Sequence, residues 1–339
     1  MATMNIIQAV NDALHHAMGE DDATVLLGED VGKFGGVFRA TVGLQDKFGE
    51  DRVIDTPLAE AGIIGTAIGM GLYGVKAIAE IQFADFIFPA YDQIVNELAK
   101  YRYRSGGEYP CPIVIRTPYG GGIRGGHYHS QSPESLFCHH AGLVVVTPSN
   151  PYDAKGLLLS AIESPDPVMV LEPKRIYRGP RHGKNWGTHA KGEVPEAPYK
   201  VPIGKAAIAR ELTGQGTPVT VITYGAMVHT CEEAAAKAAE EGIDVELVDL
   251  RSLLPYDLEA IVESGRKTGR VVVANEAPRM CGYAAEMVSV VTEHCFDWLE
   301  APVQRVTGYD TPFPYTLEFA YLPDAGRVLN ALRTVATYA

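Results

Sequence analysis

The stretch DTPLAEAGIIGTAIGMGLYGVKAIAEIQFADF, from Asp55 to Phe86, decides the fold of the first half of the chain. It reads as the end of a short strand, then an apolar helix, then a second strand in VKAIAEIQF. A single acid, Glu60, lies early in the long apolar and glycine-rich run. Burying an ionised carboxylate is unfavourable unless it is paired, protonated or used in chemistry. Glu60 is therefore the first candidate functional residue.

The alternation of strands and helices continues on both sides of this stretch. Apolar residues recur with helical spacing at Ile6, Val10, Leu14 and Met18, and further helices are predicted in PAYDQIVNELAKYRYRSGG and PYDAKGLLLSAIES. Nearly continuous apolar strands are predicted in TVLLGED, CPIVIRTPYGGG, GLVVVTPSN and PVMVLEPK. This alternation is typical of an α/β fold with a parallel sheet covered on both faces.

The pattern breaks between residues 178 and 202, where Pro, Gly, Lys and His dominate without a period. A second α/β unit follows, beginning near PVTVITYG. We therefore predict a domain at 1–180, a linker or surface loop at 181–202 and a second domain at 203–339. A basic cluster near the linker is expected to be a solvated face; its members are Arg175, Arg178, Arg181, Lys184 and Lys191.

Composition excludes several classes of protein. The net charge is −13, from 29 basic and 42 acidic residues, which argues against nucleic acid or an anionic membrane as the main partner. The longest uncharged apolar run, Ala61 to Val75, has 15 residues and is too short to span a membrane. Five scattered cysteines and an N-terminus without a signal peptide predict a cytoplasmic protein.

The segment GMGLYG, Gly69 to Gly74, matches the dinucleotide-binding pattern G-x-G-x-x-G. That pattern should follow a strand and open a helix, whereas here it closes a helix before a strand. Together with Gly62 and Gly65, these glycines predict a helix packed very close to a neighbour. The chain also lacks the P-loop pattern G-x-x-x-x-G-K-[ST] and the α/β-hydrolase nucleophile pattern G-x-S-x-G, so neither of these functions is supported.

A second candidate segment is GGGIRGGHYHSQSPE, Gly120 to Glu134. On a strand, His127 and His129 would share a face and could bind a metal together with His139 or His140. Hydrogen-bonded histidines in a crowded loop are the structural alternative. Because no carboxylate or cysteine completes a known ligand spacing, proton transfer by one of these histidines is favoured over a metal site.

Glu60 also has a structural alternative. With Thr56 as N-cap and Pro57 as the first helical residue, Glu60 would be the fourth residue of the helix, near its capping position. Capping does not explain the apolar surroundings, so burial beside a specific partner is favoured. A carboxylate in an apolar pocket could share a proton with a basic ring nitrogen.

Long motifs resemble one known family. GEDVGKFGGVFRAT, DTPLAEAGIIGTAIGMG, EIQFADFIFPAYDQIVNELAKYRYRSGG, HSQSPE, PSNPYDAKGLL and VTGYDTPFPY closely resemble beta subunits of thiamine-diphosphate-dependent 2-oxo acid dehydrogenases. EIQFADF and KYRYRSGG look most like the branched-chain, or 2-oxoisovalerate, members. The resemblance covers essentially the whole chain. It implies a pyrimidine-binding α/β domain, then a transketolase C-terminal-type domain that docks a lipoyl acyltransferase core.

The resemblance also implies roles for five residues. Glu60 would hydrogen-bond the ring nitrogen of the cofactor's aminopyrimidine, and Phe86 would lie beside that ring. Gln82 would line the pocket for a small 2-oxo acid, and His129 would assist proton transfer as the acyl group passes to lipoamide. Glu29 would lie near acids that connect the two cofactor sites of an assembled enzyme.

One motif of thiamine enzymes is missing. Enzymes that bind the diphosphate themselves carry G-D-G followed by an Asn, and this chain has no G-D-G. The family implies two alpha and two beta subunits, with each cofactor at an alpha–beta interface. We therefore expect the alpha subunit to hold the diphosphate and Mg²⁺, and we assign no metal ligand in this chain. Some relatives hold K⁺ near the segments matching IVIRTP and AIESPD, but Val114 and Ser164 weaken that expectation here.

Three other functions stay open at this point. A pyruvate or acetoin dehydrogenase beta subunit would have the same fold with a different pocket. A non-catalytic dimerisation or docking subunit would need no chemistry from Glu60. A nicotinamide oxidoreductase would require tight dinucleotide binding by the isolated chain.

Overall fold

The computed structural model describes residues 1–178 and 191–338. Strands alternate with helices along the chain, as predicted. The strands are β1 (Ala2–Asn5), β2 (Thr24–Gly28), β3 (Val53–Asp55), β4 (Lys76–Glu80), β5 (Ile113–Tyr119), β6 (Val144–Val146), β7 (Val168–Pro173), β8 (Lys191–Val194), β9 (Ala207–Arg210), β10 (Thr217–Thr223), β11 (Ile243–Asp249), β12 (Ser252–Leu254), β13 (Val271–Ala274) and β14 (Gln304–Val306).

The helices are mostly short. They are α1 (Ile6–Glu20), α2 (Leu44–Phe48), α3 (Glu60–Leu72), α4 (Ala99–Arg104), α5 (Glu134–Cys138), α6 (Pro151–Ile162), α7 (Met227–Ala239), α8 (Leu258–Thr268), α9 (Tyr283–Cys295), α10 (Glu318–Tyr321) and α11 (Ala325–Ala336). A π-helical turn, Gln93–Leu98, precedes α4. Across residues 1–178 and 191–338, none of the helices has the length and apolar character needed to cross a membrane.

Residues Met1–Tyr119 and Leu136–Ile203 form the first compact unit. Six of its strands pair in parallel, in the order β6-β7-β5-β4-β2-β3. Their apolar side chains are almost completely buried, as expected for a parallel sheet between helical layers. Strands β3, β2 and β4 are neighbours, so the residues that follow them meet at one edge of the sheet.

Helix α1 is confirmed, with Ile6, Val10, Leu14 and Met18 all buried. It begins after Asn5, whose side chain accepts a hydrogen bond from the backbone N–H of Gln8. The four residues before it form β1, which pairs with β8 in a two-stranded antiparallel sheet. Neither strand of this pair was predicted, because each is only four residues long and lacks alternation.

The second unit comprises Gly120–Ser135 and Gly204–Ala339. Its five-stranded sheet has the order β14-β13-β10-β11-β9. All neighbours are parallel except β9, which runs antiparallel at the edge. The core lies between β10, β11, α7 and α11, and it is built mainly from alanine and aliphatic residues.

Helix α3 begins at Glu60 itself, with Ala59 as N-cap. The alternative in which Thr56 caps the helix is therefore wrong. The backbone N–H of Thr56 donates to the carbonyl of Gly28 at 2.9 Å, so the chain is still paired with β2 at that point. This pairing delays the helix and puts Glu60 in its first turn, where the helix dipole favours a negative charge.

The prediction of close packing at the α3 glycines holds at one position only. A Cβ built on Gly71 would lie 3.1 Å from Ile113, whereas one on Gly69 would meet nothing within 4 Å. Gly62 and Gly65 also have room for a Cβ, with nearest atoms at 3.6 and 3.8 Å. The predicted context of GMGLYG is confirmed, because it lies at the end of α3 and β4 follows.

The predicted linker is only partly described. Residues 181–190, with Arg181 and Lys184 of the basic cluster, lie outside the described residues. Of the other members, Arg178 and Lys191 are exposed and Arg175 is half-buried.

Candidate active site

Three of the predicted site residues lie at one edge of the first sheet. Glu29 directly follows β2, Glu60 opens the helix after β3, and Gln82 lies two residues beyond β4. Because these strands are parallel neighbours, their carboxyl ends converge, and this is the usual position of ligand sites in open α/β sheets.

A hydrogen bond joins two of these strand ends. Gln82 Nε2 donates to Asp30 Oδ2 at 3.0 Å and lies 3.5 Å from the backbone oxygen of Glu29. Asp30 has a left-handed backbone, with φ of 56°. Such conformations are uncommon outside glycine and occur often at functional sites.

The two acids of this edge are buried without a basic partner. Glu29 is 7% exposed, and within residues 1–178 and 191–338 its Oε1 atom has no hydrogen-bond partner. Burial raises the pKa of Glu29, and the nearby charges of Glu60 and Asp30 raise it further. Glu60 is 9% exposed, and no described residue forms a hydrogen bond or ion pair with its carboxylate. The edge therefore holds two buried carboxylates without a basic partner, and burial favours the protonated form of Glu29.

Phe86 lies at the end of the short turn Ala84–Phe86, four residues after Gln82. It is half-buried, and its ring meets that of Phe83 edge-to-face at a centroid distance of 5.4 Å. Phe83 in turn packs edge-to-face on Phe38 at 5.4 Å. Phe86 thus packs on an aromatic group and stays partly exposed.

A second group of buried acids was missed in the sequence. Arg116, on β5, donates from Nε to Glu172 at 2.8 Å and from Nη1 to Glu80 at 2.5 Å. Tyr177 completes the group by donating its hydroxyl to Glu172 at 2.6 Å. Burial raises the pKa of Glu80, and the two carboxylates raise that of Arg116. Charged residues inside otherwise apolar strands, as in VIRTP and VLEPK, were the available signal.

His129 belongs to the second unit, in the glycine-rich segment before α5. It is half-buried and follows the short turn Gly126–Tyr128, with its backbone N–H donating to Gly126 at 3.3 Å. His127 is exposed, and its ring lies 4.0 Å from that of Tyr128. The two histidines therefore do not share a strand face, because the segment is a loop.

The histidine pairs do not form a metal centre in the described chain. No group of three or more His, Cys, Asp or Glu in residues 1–178 and 191–338 could hold a metal ion. His140 is engaged by the Tyr91 hydroxyl, 2.7 Å from its Nε2. At the suggested K⁺ position, Ser164 Oγ accepts a hydrogen bond from the backbone N–H of Asp166 at 3.1 Å. The K⁺ site stays a prediction.

Comparison with known proteins agrees with this geometry. Residues 2–180 match the family described as transketolase, pyrimidine binding domain, and residues 204–328 match transketolase, C-terminal domain. The chain is 52% identical to a 2-oxoisovalerate dehydrogenase subunit beta from Pseudomonas aeruginosa, over 99% of this chain and 95% of that protein. The chain belongs to the family of 2-oxo acid dehydrogenase beta subunits.

Other members of the family carry a different substrate in their name. A pyruvate dehydrogenase E1 component subunit beta from Acholeplasma laidlawii is 47% identical, over 99% of both chains. A solved structure, a split gene transketolase described as an inactive beta4 tetramer, has a TM-score of 0.77 at 25% identity and covers 99% of both chains. The predicted fold class is confirmed.

Membership of this family implies thiamine diphosphate as the cofactor, and the acids of the first unit fit its aminopyrimidine. That ring carries an amino group that can donate hydrogen bonds and a nitrogen that can take up a proton. Glu29 Oε1 is a buried acceptor without a partner in the described chain, and Glu60 adds a second carboxylate that is 9% exposed. Phe86 adds an aromatic surface of the kind that packs on a flat ring.

Proposed function

We propose that this chain is the beta subunit of a branched-chain 2-oxo acid dehydrogenase that works with an alpha subunit. The enzyme would decarboxylate the 2-oxo acid and transfer the acyl group to a lipoyl group of an acyltransferase core. The observation that carries the proposal is Glu60, buried without a basic partner in the first turn of α3 and close enough to Glu29 to raise its pKa.

Each residue of the first unit has a task in this proposal. Glu60 holds a proton at the ring nitrogen of the aminopyrimidine, and its burial strengthens that interaction by excluding water. Phe86 orients the ring through its face, while Gln82 lines the substrate pocket. When bound, thiamine diphosphate supplies the electron sink that decarboxylation of a 2-oxo acid requires. Glu29 relays charge between this site and its copy in the assembled enzyme.

His129 acts in the second half of the reaction. An imidazole titrates near neutral pH, so it can deliver or accept the proton that moves when the acyl group passes to the lipoyl sulfur. The loop that carries His129 is held by hydrogen bonds within the second unit.

The branched-chain assignment rests on the motifs EIQFADF and KYRYRSGG and on the 52% identity to the Pseudomonas aeruginosa subunit. Pyruvate or acetoin is the alternative, supported by the 47% identity to the Acholeplasma laidlawii protein. The missing G-D-G motif supports an alpha subunit as the holder of the diphosphate and Mg²⁺. Docking of the acyltransferase core on the C-terminal domain and a cytoplasmic location are parts of the same proposal.

Calorimetric titration of Mg²⁺–thiamine diphosphate tests the divided site. The cofactor is added to this chain alone and then to the chain co-purified with a candidate alpha subunit. Tight binding only in the complex is the expected result. Tight binding to the isolated chain would place the diphosphate site in this chain, and binding to neither would overturn the thiamine assignment.

Assays with a panel of 2-oxo acids then test the substrate. Branched acids should show the highest kcat/KM in the complex, and a preference for pyruvate would select the alternative. A non-catalytic docking subunit would behave differently, because its Glu60→Gln variant would leave the activity of the reconstituted complex intact.

A further inference from the structure

The loop that carries His129 is closed by hydrogen bonds between its own residues. We call residues Gly120–Ser135 the histidine loop. Its base is closed by the backbone N–H of Gly120, which donates to the carbonyl of Gln131 at 2.9 Å. Gln131 Nε2 also donates to the carbonyl of His127 at 2.7 Å. The loop therefore has internal structure, but these bonds alone do not fix its position on the second unit.

Two buried carboxylates bind the first half of the histidine loop. Glu276, just after β13, accepts a hydrogen bond at Oε2 from the backbone N–H of Gly121, at a distance of 3.1 Å. Glu318, the first residue of α10, accepts the backbone N–H of Arg124 at Oε2 over 2.9 Å. Glu276 is 7% exposed and Glu318 is fully buried. Hydrogen bonds from a backbone N–H to a charged acceptor are among the stronger ones in proteins.

A third carboxylate fixes the other end of the loop. Glu134 is fully buried and accepts the hydroxyl of Tyr224 at 2.5 Å. Tyr224 in turn accepts a hydrogen bond from Asn275 Nδ2 at 3.1 Å. His129 lies five residues from Arg124 and five from Glu134, midway between the anchored ends.

The glycines of the loop explain how the acids come so close. A Cβ on Gly120 would lie 2.7 Å from Glu276 Oε2, and one on Gly121 would lie 2.9 Å from Leu322 and Phe313. The backbone can therefore lie directly on these side chains only where no Cβ intervenes. This requirement accounts for Gly120 and Gly121 at the start of the segment.

We propose that Glu134, Glu276 and Glu318 are positioning residues that set the orientation of His129 through the backbone of the histidine loop. The inference rests on the proposed role of His129 in acyl transfer. A displacement of about 1 Å at a reacting group can reduce a rate by roughly a hundredfold, so rigid anchoring at both ends has a catalytic consequence.

The charges of the three acids are consistent with anchoring. Burial raises the pKa of Glu134 to about 7, and the charge of Glu276 adds to this, while the hydrogen bond from Tyr224 opposes it. Burial also raises the pKa of Glu318, opposed by the backbone N–H groups of Gly122 and Arg124. Burial raises the pKa of the neighbouring Tyr321, and the charges of Asp310, Glu276 and Glu134 raise it further. The backbone N–H groups of the loop thus offset part of the cost of burying the Glu318 carboxylate.

The test compares two half-reactions of the complex with its alpha subunit. Decarboxylation is followed with an artificial electron acceptor, and acyl transfer is followed by reductive acylation of a free lipoyl domain. The variants are Glu276→Ala, Glu318→Ala and Glu276→Gln, which keeps a carbonyl acceptor for Gly121. Asp244→Ala is the matched control, since Asp244 accepts the backbone N–H groups of Thr213 and Gly214 at 2.9 and 2.8 Å on another loop of the same unit.

We expect Glu276→Ala and Glu318→Ala to slow acyl transfer by roughly tenfold to a hundredfold while decarboxylation changes little. Glu276→Gln should restore most of the acyl-transfer rate, and Asp244→Ala should leave both half-reactions unchanged. If the Glu276→Ala chain does not assemble with the alpha subunit, the acyl-transfer rates of Glu318→Ala and Glu276→Gln test the inference. Equal loss of both half-reactions, or no loss of acyl transfer, would overturn the inference. A wild-type complex without any decarboxylation would instead overturn the proposed function.

Discussion

Two groups of buried acids in the first unit differ in one respect. Glu80 and Glu172 share Arg116, which donates three hydrogen bonds to them. Glu29 and Glu60, at the edge of the same sheet, have no basic partner among the described residues. Glu80 and Glu172 lie within strands, whereas Glu29 follows β2 and Glu60 opens α3. All four are more than nine-tenths buried.

The difference separates a structural arrangement from a chemical one. A buried carboxylate that is paired with an arginine keeps its charge and cannot readily exchange a proton. A buried carboxylate without such a pair reduces stability, but it is available to a ligand that can donate a hydrogen bond or a proton. Substitutions in each group of acids can show whether the two groups differ in this way.

Glu60→Gln should have the largest effect on activity. We expect kcat of the complex to fall by roughly 10² to 10⁴, because an amide cannot hold the proton at the cofactor ring. Stability should be unchanged or higher, since the variant removes an unpaired buried charge. Steady-state assays and thermal unfolding measure the two quantities. Glu50→Gln, at an exposed position of the same unit, is the control, and equal activity in both variants would contradict the assignment.

Arg116→Met should have the largest effect on stability. Removing the shared cation leaves two buried carboxylates without the positive charge that compensates them, which should lower the free energy of unfolding by about 3 to 5 kcal/mol. Urea unfolding of the chain measures this loss. Replacing Glu80, Glu172 and Arg116 together by apolar residues of similar size should restore much of it. A single Arg116→Met variant as stable as the wild type would show that the network contributes little.

Glu29→Gln should change the pH dependence of stability. The pKa of Glu29 is raised in the folded chain, so the folded state binds a proton more tightly than the unfolded state. Its contribution is therefore present below pH about 4.5 and is lost as pH rises through the folded pKa. The variant should melt at a higher temperature than the wild type at pH 8, and the difference should shrink towards pH 4.5. Parallel melting curves at all pH values would contradict the raised pKa.

Gln82→Ala should have the smallest effect. It removes the hydrogen bond to Asp30, which is worth about 0.5 to 1.5 kcal/mol, and it enlarges the proposed pocket. We expect KM for the preferred 2-oxo acid to rise by less than about tenfold, with kcat nearly unchanged. A fall in kcat with an unchanged KM would place Gln82 in the chemical step instead.

Local pattern predicted much of the fold correctly. The helical spacing of Ile6, Val10, Leu14 and Met18 was enough to place α1, because burial of one face is a property of neighbouring residues. The alternative in which Thr56 caps α3 was wrong, because the start of this helix depends on pairing between Thr56 and Gly28, which are far apart in sequence. Close packing at Gly62 and Gly69 was wrong for a related reason, since sequence does not show what lies opposite a glycine.

The sequence by itself determined the α/β class, the family and the candidate residues Glu29, Glu60, Gln82, Phe86 and His129. Motifs and periodicity depend on residues that are close in sequence, so they can be recognised without a structure. Only the tertiary structure decided which acids are paired, because Arg116 is 36 residues from Glu80 and 56 from Glu172. Only the tertiary structure brings Glu276 and Glu318 to the histidine loop, because they lie 155 and 194 residues from Gly121 and Arg124, whose backbone N–H groups donate to them. Charge compensation and backbone anchoring act through space, and only the folded chain brings those groups within hydrogen-bond distance.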